Sequence, residues 1–156
     1  MKESTNVEFF MKEALKQARI AFDQDEVPIG AVAVFKNQII GRGYNRTEKL
    51  QDATAHAEII AITAAANALG TWRLNDVTVY STVEPCIMCA GALVLARVKK
   101  IVFGARDEKF GGCGSVLNVI HEKKLNHQIE VTEGILKNES AALMKSFFEK
   151  RRKKKK

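Results

Sequence analysis

Along residues 7–22, apolar side chains recur three or four positions apart, at Val7, Phe10, Met11, Ala14, Leu15, Ala18 and Phe22. That spacing gathers them on one face of a helix, and Thr5 with Glu8 offers a capping box in front of it. The pattern then shortens. Residues 29–35 (IGAVAVF) and 39–44 (IIGRGY) read as strands around Lys36, Asn37 and Gln38, which predicts a hairpin. A polar loop leads to an alanine-rich helix over residues 55–69, with Thr54 as N-cap and Gly70 as stop. Residues 77–82 (VTVYST) form a strand, and Pro85 opens a helix running to about Ala96. Residues 100–105 (KIVFGA) and 128–134 (QIEVTEG) supply two more strands, separated by a glycine-rich loop and a short helical stretch, SVLNVI. A last helix from about Ser140 aims Leu143, Met144, Phe147 and Phe148 at the core.

A helix, a hairpin, and then helices alternating with strands predict an α/β protein of three layers, α/β/α, with a five-stranded mixed sheet in the middle. A chain of 156 residues, 46% hydrophobic, suits one domain. The first residues, MKESTNVEFF, lack the apolar stretch of a signal peptide. The longest apolar run, residues 87–96, falls short of the roughly 18 residues of a membrane helix, so no membrane partner is expected. Three cysteines make a disulfide framework a poor fit and point to a reducing, cytoplasmic setting.

The formal net charge of +7 lies wholly in residues 150–156, KRRKKKK; without them 18 Lys and Arg balance 18 Asp and Glu. The expected division is therefore a domain over residues 1–149 and a basic tail over 150–156. That tail reads either as a solvated end or as an arm for phosphates.

Cys86 and Cys89 stand three positions apart in EPCIMC, in the first turn of a helix. Unpaired N–H groups and the helix dipole lower thiol pKa values there, which favours the thiolate that a metal needs. Zinc prefers four tetrahedral contacts and accepts Cys and His together. His56, in THAEI, also begins a helix, and Glu58 follows two positions later. His56, Cys86 and Cys89 are the expected zinc ligands, one ion per chain, with a fourth position left for water. Glu58 is the carboxylate beside the metal, placed to take a proton from that water and return it to substrate and leaving group. Cys113, in FGGCGS, raises the competing possibility of a closed, structural site.

THAEI with EPCIMC matches the H-x-E…P-C-x-x-C signature already known for zinc-dependent nucleoside and nucleobase deaminases. The chain further resembles the bacterial tRNA adenosine deaminases through EVPIGAVAV, GYNR (43–46), VFGARD (102–107), LNH (125–127), VTEGIL (131–136) and SFFEKRR. The resemblance implies a cytidine-deaminase-like fold, a homodimer, and hydrolysis of the wobble adenosine to inosine in a tRNA anticodon stem-loop, with an arginine tRNA as the expected partner. It also implies substrate contacts. Asn45 would hydrogen-bond the purine and the Ala57 backbone would orient its reacting edge, while Val27 and Ile29 would line the apolar side. Asp107 would meet a neighbouring sugar, and Asn126 a flanking base. Taken alone, the residues read more readily as turn formers, a loop cap and plain core. Two other functions compete: deamination of free guanine, cytosine or cytidine, and a non-catalytic zinc-stabilised RNA-binding module.

Overall fold

A computed structural model of the chain describes residues 2–155, with side chains from residue 6 onward. Five strands form one sheet in the order β2-β1-β3-β4-β5: β1 (Gly30–Phe35), β2 (Gln38–Tyr44), β3 (Thr78–Val83), β4 (Lys100–Ala105) and β5 (Glu130–Glu133). β1 runs antiparallel to β2 and to β3, whereas β3, β4 and β5 are parallel. The hairpin is tighter than its sequence suggests. Gln38 pairs with Phe35, leaving Lys36 and Asn37, both at positive φ, as a two-residue turn.

Alternation along the strands sorts the core into two layers. Val32, Val34, Tyr80 and Val102 face Phe10, Met11 and Ala14 of helix α1 (Lys2–Asp23). Ala33, Val79, Ile101 and Phe103 face Ile62 and Ala65 of α3 (Ala57–Leu69) and Leu93 and Val94 of α4 (Ile87–Leu95). Helix α5 (Lys137–Lys154) lies on the α1 side against β3 and β4. The predicted three-layer fold is the one observed.

Several local expectations change. α1 begins at Lys2, so its start precedes the proposed Thr5–Glu8 capping box, and the Thr5 side chain lies outside the described ones. Thr54 does not cap α3; it bonds Asp52 instead, and His56 is the N-cap. A four-residue helix, α2 (Thr47–Leu50), interrupts the polar loop. SVLNVI contributes only a 3-10 turn, Val119–His121. α5 starts three residues early and carries the basic run through Lys154, so the boundary at residue 149 falls inside a helix. Phe147 is buried, but Phe148 is partly exposed, one position off the buried stripe.

The packing of α3 on β2 is unusually close. A Cβ at Gly41 or Gly43 would run into the carbonyl oxygen of Ala61 or Ala57, and Ala57, Ala61 and Ala65 complete the contact without bulk. Gly43→Ala should therefore lift the start of α3 and cost about 1–3 kcal/mol or more, as overpacked sites do. A urea midpoint equal to that of the parent protein would contradict this packing.

Candidate active site and metal centre

Strand directions decide which loops can meet. The carboxyl ends of β3 and β4 lie at one end of the sheet. Antiparallel β1 begins there and β2 finishes there. Val27 and Ile29 (before β1), Asn45 (after β2), Cys86 (after β3) and Asp107 (after β4) are thus drawn together with His56, Ala57 and Glu58 at the start of α3. They line a cavity of about 400 Å³, within the range of small-molecule sites.

At its floor, His56 Nδ1 lies 3.5 Å from Cys86 Sγ and 3.5 Å from Cys89 Sγ. The three ligand atoms fall within 4.8 Å of one another. Zinc at about 2.0–2.1 Å from nitrogen and about 2.3 Å from sulfur, with tetrahedral angles, sets an N···S edge of about 3.6 Å. The donors fit that ion. His56 and Cys86 are both N-cap residues in extended conformation, which turns their side chains off the helix ends and toward each other. Among the described residues, Cys113 does not join the group; it is buried in the α4-side core, where burial raises its thiol pKa. The closed-site alternative lacks its fourth ligand.

Electrostatics favour charge exchange here. The hydrogen bond from Cys89, aided by those from His56 and the Cys89 N–H, holds the Cys86 thiol down to about 4. Cys89, which shares that proton, is raised by the same bond and by burial. A bound metal would displace the shared proton and leave two thiolates as ligands. Glu58 is 3% exposed. Burial, reinforced by the Cys86 charge, pushes its carboxyl up to about 7, suited to giving and taking protons near neutrality.

Asn45 and Asp107 make the local turn and loop bonds expected of their residue types, and both border the cavity. Asn45 Oδ1 accepts from the Thr47 N–H and hydroxyl, and its Nδ2 donates to Val27 O at 3.3 Å, yet the side chain also borders the cavity. Asp107 Oδ1 accepts from the N–H groups of Lys109 and Phe110 at the cavity's edge. Asn126 is not brought to the cavity. It is exposed and precedes β5, whose amino end lies at the far end of the sheet, where His127 Nε2 meets Val98 O. One strand length, about 17 Å, separates the two ends.

The cavity is lined further by residues not singled out in the sequence, Glu26, Thr47, Glu48, Glu84 and Phe110, and by Arg151 of the basic tail. Glu26, fully buried, accepts the N–H groups of Glu48 and Lys49 at 2.9 Å each and so anchors α2. Glu84 accepts several donors from the loop after β4. Arg151, on α5, lies over the Phe147 ring, 4.9 Å from its centroid, and reaches the cavity. An acid inside EVPIG or VEPC is a sequence signal only when burial can be foreseen.

A layered α/β/α fold with a His-Cys-Cys cluster and an adjacent buried glutamate defines a deaminase, and residues 5–152 match the MafB19-like deaminase family. The tRNA-specific adenosine deaminase of Bacillus subtilis (strain 168) is 51% identical over 152 residues, 97% of this chain and 94% of that protein. This chain belongs to the tRNA-specific adenosine deaminase family. A solved structure from work on A-to-I editing by tRNA:A34 deaminases at the wobble position superposes with a TM-score of 0.84 at 44% identity, covering 86% of this chain and 98% of its own. Guanine deaminase from Nitrosomonas europaea shares the fold, with a TM-score of 0.77, but only 27% identity over 90% of this chain and 83% of its own.

Metal removal tests the centre directly. Protein stripped by chelation should take up one equivalent of Zn²⁺, and Cys86→Ser or Cys89→Ser should bind less than a tenth as tightly, read by competition with a chromogenic chelator. Undiminished affinity in both variants would remove these cysteines from the ligand set.

Proposed function

We infer that this cavity converts the wobble adenosine of a tRNA anticodon loop to inosine, by hydrolytic deamination at C6 of the base. The observation that carries the reading is the placement of Glu58 beside the His56-Cys86-Cys89 cluster, inside a chain 51% identical to a tRNA-specific adenosine deaminase. His56, Cys86 and Cys89 would hold zinc, which supplies a Lewis acid that makes water a nucleophile at neutral pH. The chain's own groups handle the protons. Glu58 takes one from water and delivers it to the ring nitrogen beside C6, then takes a second from the new C6 hydroxyl and gives it to the departing amine. Water adds, ammonia leaves, and the carboxylate is restored.

Binding falls to the walls. Val27 and Ile29 give the base an apolar face, the Ala57 backbone orients its reacting edge, and Asn45 holds the far edge. Anticodon bases are already unpaired, so extruding one costs less than opening a duplex. Asp107, at the edge, suits a neighbouring sugar. Arg151 and the basic end of α5, through Lys154, suit phosphates. An arginine tRNA with A at the wobble position is the expected substrate.

The working form is a cytoplasmic homodimer. Ile87, Met88, Val116 and Leu117 are exposed on α4 and the adjoining loop, an apolar surface suited to a second copy. Among the described residues, no helix is long and apolar enough to cross a membrane.

Zinc-loaded protein should form inosine in an arginine anticodon stem-loop and act far more slowly on free adenosine, cytidine or guanine. Glu58→Ala should retain zinc and lose at least about 10²–10⁴-fold in turnover; Asn45→Ala should impair turnover with zinc intact. Rapid reaction with free guanine and none with the stem-loop would favour the guanine deaminases instead. The basic terminus gives a separate expectation. Deleting residues 152–156 should lower the log–log salt slope of RNA binding by roughly 0.7–0.9 for each phosphate that is no longer neutralised, with kcat unchanged at saturation. An unaltered slope would leave those residues as a solvated end.

A further inference from the structure

Glu84, like Glu26, is a buried carboxylate at the cavity that the proton chemistry above does not use. It stands at the joint between β3 and Pro85-Cys86, only 3% exposed. Its own N–H donates to Ala105 O at the end of β4, at 2.7 Å. Both oxygens are occupied by one loop. Oε1 accepts from the Asp107 N–H at 3.1 Å and from the Ser115 hydroxyl. Oε2 accepts from the N–H groups of Cys113 at 3.0 Å and Ser115 at 3.1 Å. The loop also bonds the metal-site segment in both directions, Gly112 N–H to Pro85 O at 2.8 Å and Ile87 N–H to Phe110 O at 3.0 Å. A Cβ at Gly111 would collide with Oε2, so glycine there permits the close wrap. A buried carboxylate is costly unless its lone pairs are satisfied; here backbone N–H groups and one hydroxyl satisfy them, as charge-assisted bonds.

We propose that Glu84 is a positioning residue for substrate recognition: it fixes the loop bearing Asp107 and Phe110 at a set distance from Cys86 and so shapes the RNA-facing wall of the cavity. The assignment rests on the reading that this cavity receives a base from an RNA loop. Asp107 and Phe110 border the cavity but belong to an irregular segment of about ten residues, whose shape depends on what its backbone donors can find. Glu84 gives three of those donors one common acceptor. The metal ligands have separate support from α3 and α4. Removing the carboxylate should therefore loosen the wall before it loosens the metal.

Glu84→Gln tests this, because the amide keeps the size but places an NH₂ group against N–H donors. In a Glu58→Ala background, which prevents turnover, the Kd for a fluorescent anticodon stem-loop should rise about tenfold, with zinc held at one per chain. In otherwise native protein the loss should fall mainly on KM, with kcat changed less than threefold. Amide exchange at Asp107, Cys113 and Ser115 should accelerate at least tenfold, while α3 and α4 keep their protection. Faster exchange with unchanged Kd and KM would make Glu84 merely structural and overturn the proposal; so would a loss confined to kcat. If Glu84→Gln does not fold, Ser115→Ala removes one bond and should raise Kd about threefold with the same local exchange pattern; no change in Kd overturns the proposal. Parent protein that neither binds the stem-loop nor forms inosine overturns the functional reading itself, and that failure is visible before any Glu84 variant is made.

Discussion

His56 and Cys86 lie 30 positions apart in the chain, on the leading ends of two different helices, and their ligand atoms meet at 3.5 Å. That meeting constrains most of the fold. Neither helix supplies three donors alone, so the height of each above the sheet has to be set to a fraction of an ångström. Gly41, Gly43 and the alanines of α3 let backbone rest on backbone, a contact with little freedom to slide. α4 is seated by Leu93 and Val94 on Ile101 and Phe103 and by the parallel pairing of β3 with β4. The cluster is accurate because its supports are nearly incompressible.

The same end of the sheet gathers three buried carboxyl groups, and they are held in two ways. Glu26 and Glu84 are tied to N–H donors of α2 and of the loop after β4. Those bonds, with the Ser115 hydroxyl, outweigh burial at Glu84 and keep its pKa below the ordinary glutamate value. Glu58 goes the other way, pushed up to about 7 by burial and the nearby thiolate. Glu58 and Glu84 thus hold different protonation habits at one cavity, the first a mobile proton and the second a fixed strut. The helix starts at His56 and Cys86 add partial positive charge where thiolates are wanted.

Much of this was legible in the sequence, for identifiable reasons. His56, Glu58, Cys86 and Cys89 show themselves through local spacing, since metal chemistry demands particular side chains a fixed distance apart. The strands were readable from short apolar runs, and the three layers followed from element order. Glu26 and Glu84 were hidden because their importance lies in backbone donors 22 to 31 residues away. Asn126 stands apart from the cavity for a topological reason: β5 is parallel to β4, so the segment before it lies at the other end of the sheet. α2 is too short to have a periodicity. Thr54 had the composition of a cap, but the chain delays the helix until His56 has turned toward the thiols.

The two chain ends also occupy unequal ground. Asn6 bonds Asn37 in the hairpin turn, at the end of the sheet remote from the cavity, whereas Lys150 and Lys154 reach Asp25, two residues before Val27. A protein domain tethered to the amino terminus would therefore hang behind the catalytic entrance. The same domain tethered to the carboxyl terminus would begin at its doorstep and compete with any large polynucleotide for approach. Fusion order, usually a matter of convenience, becomes a steric choice.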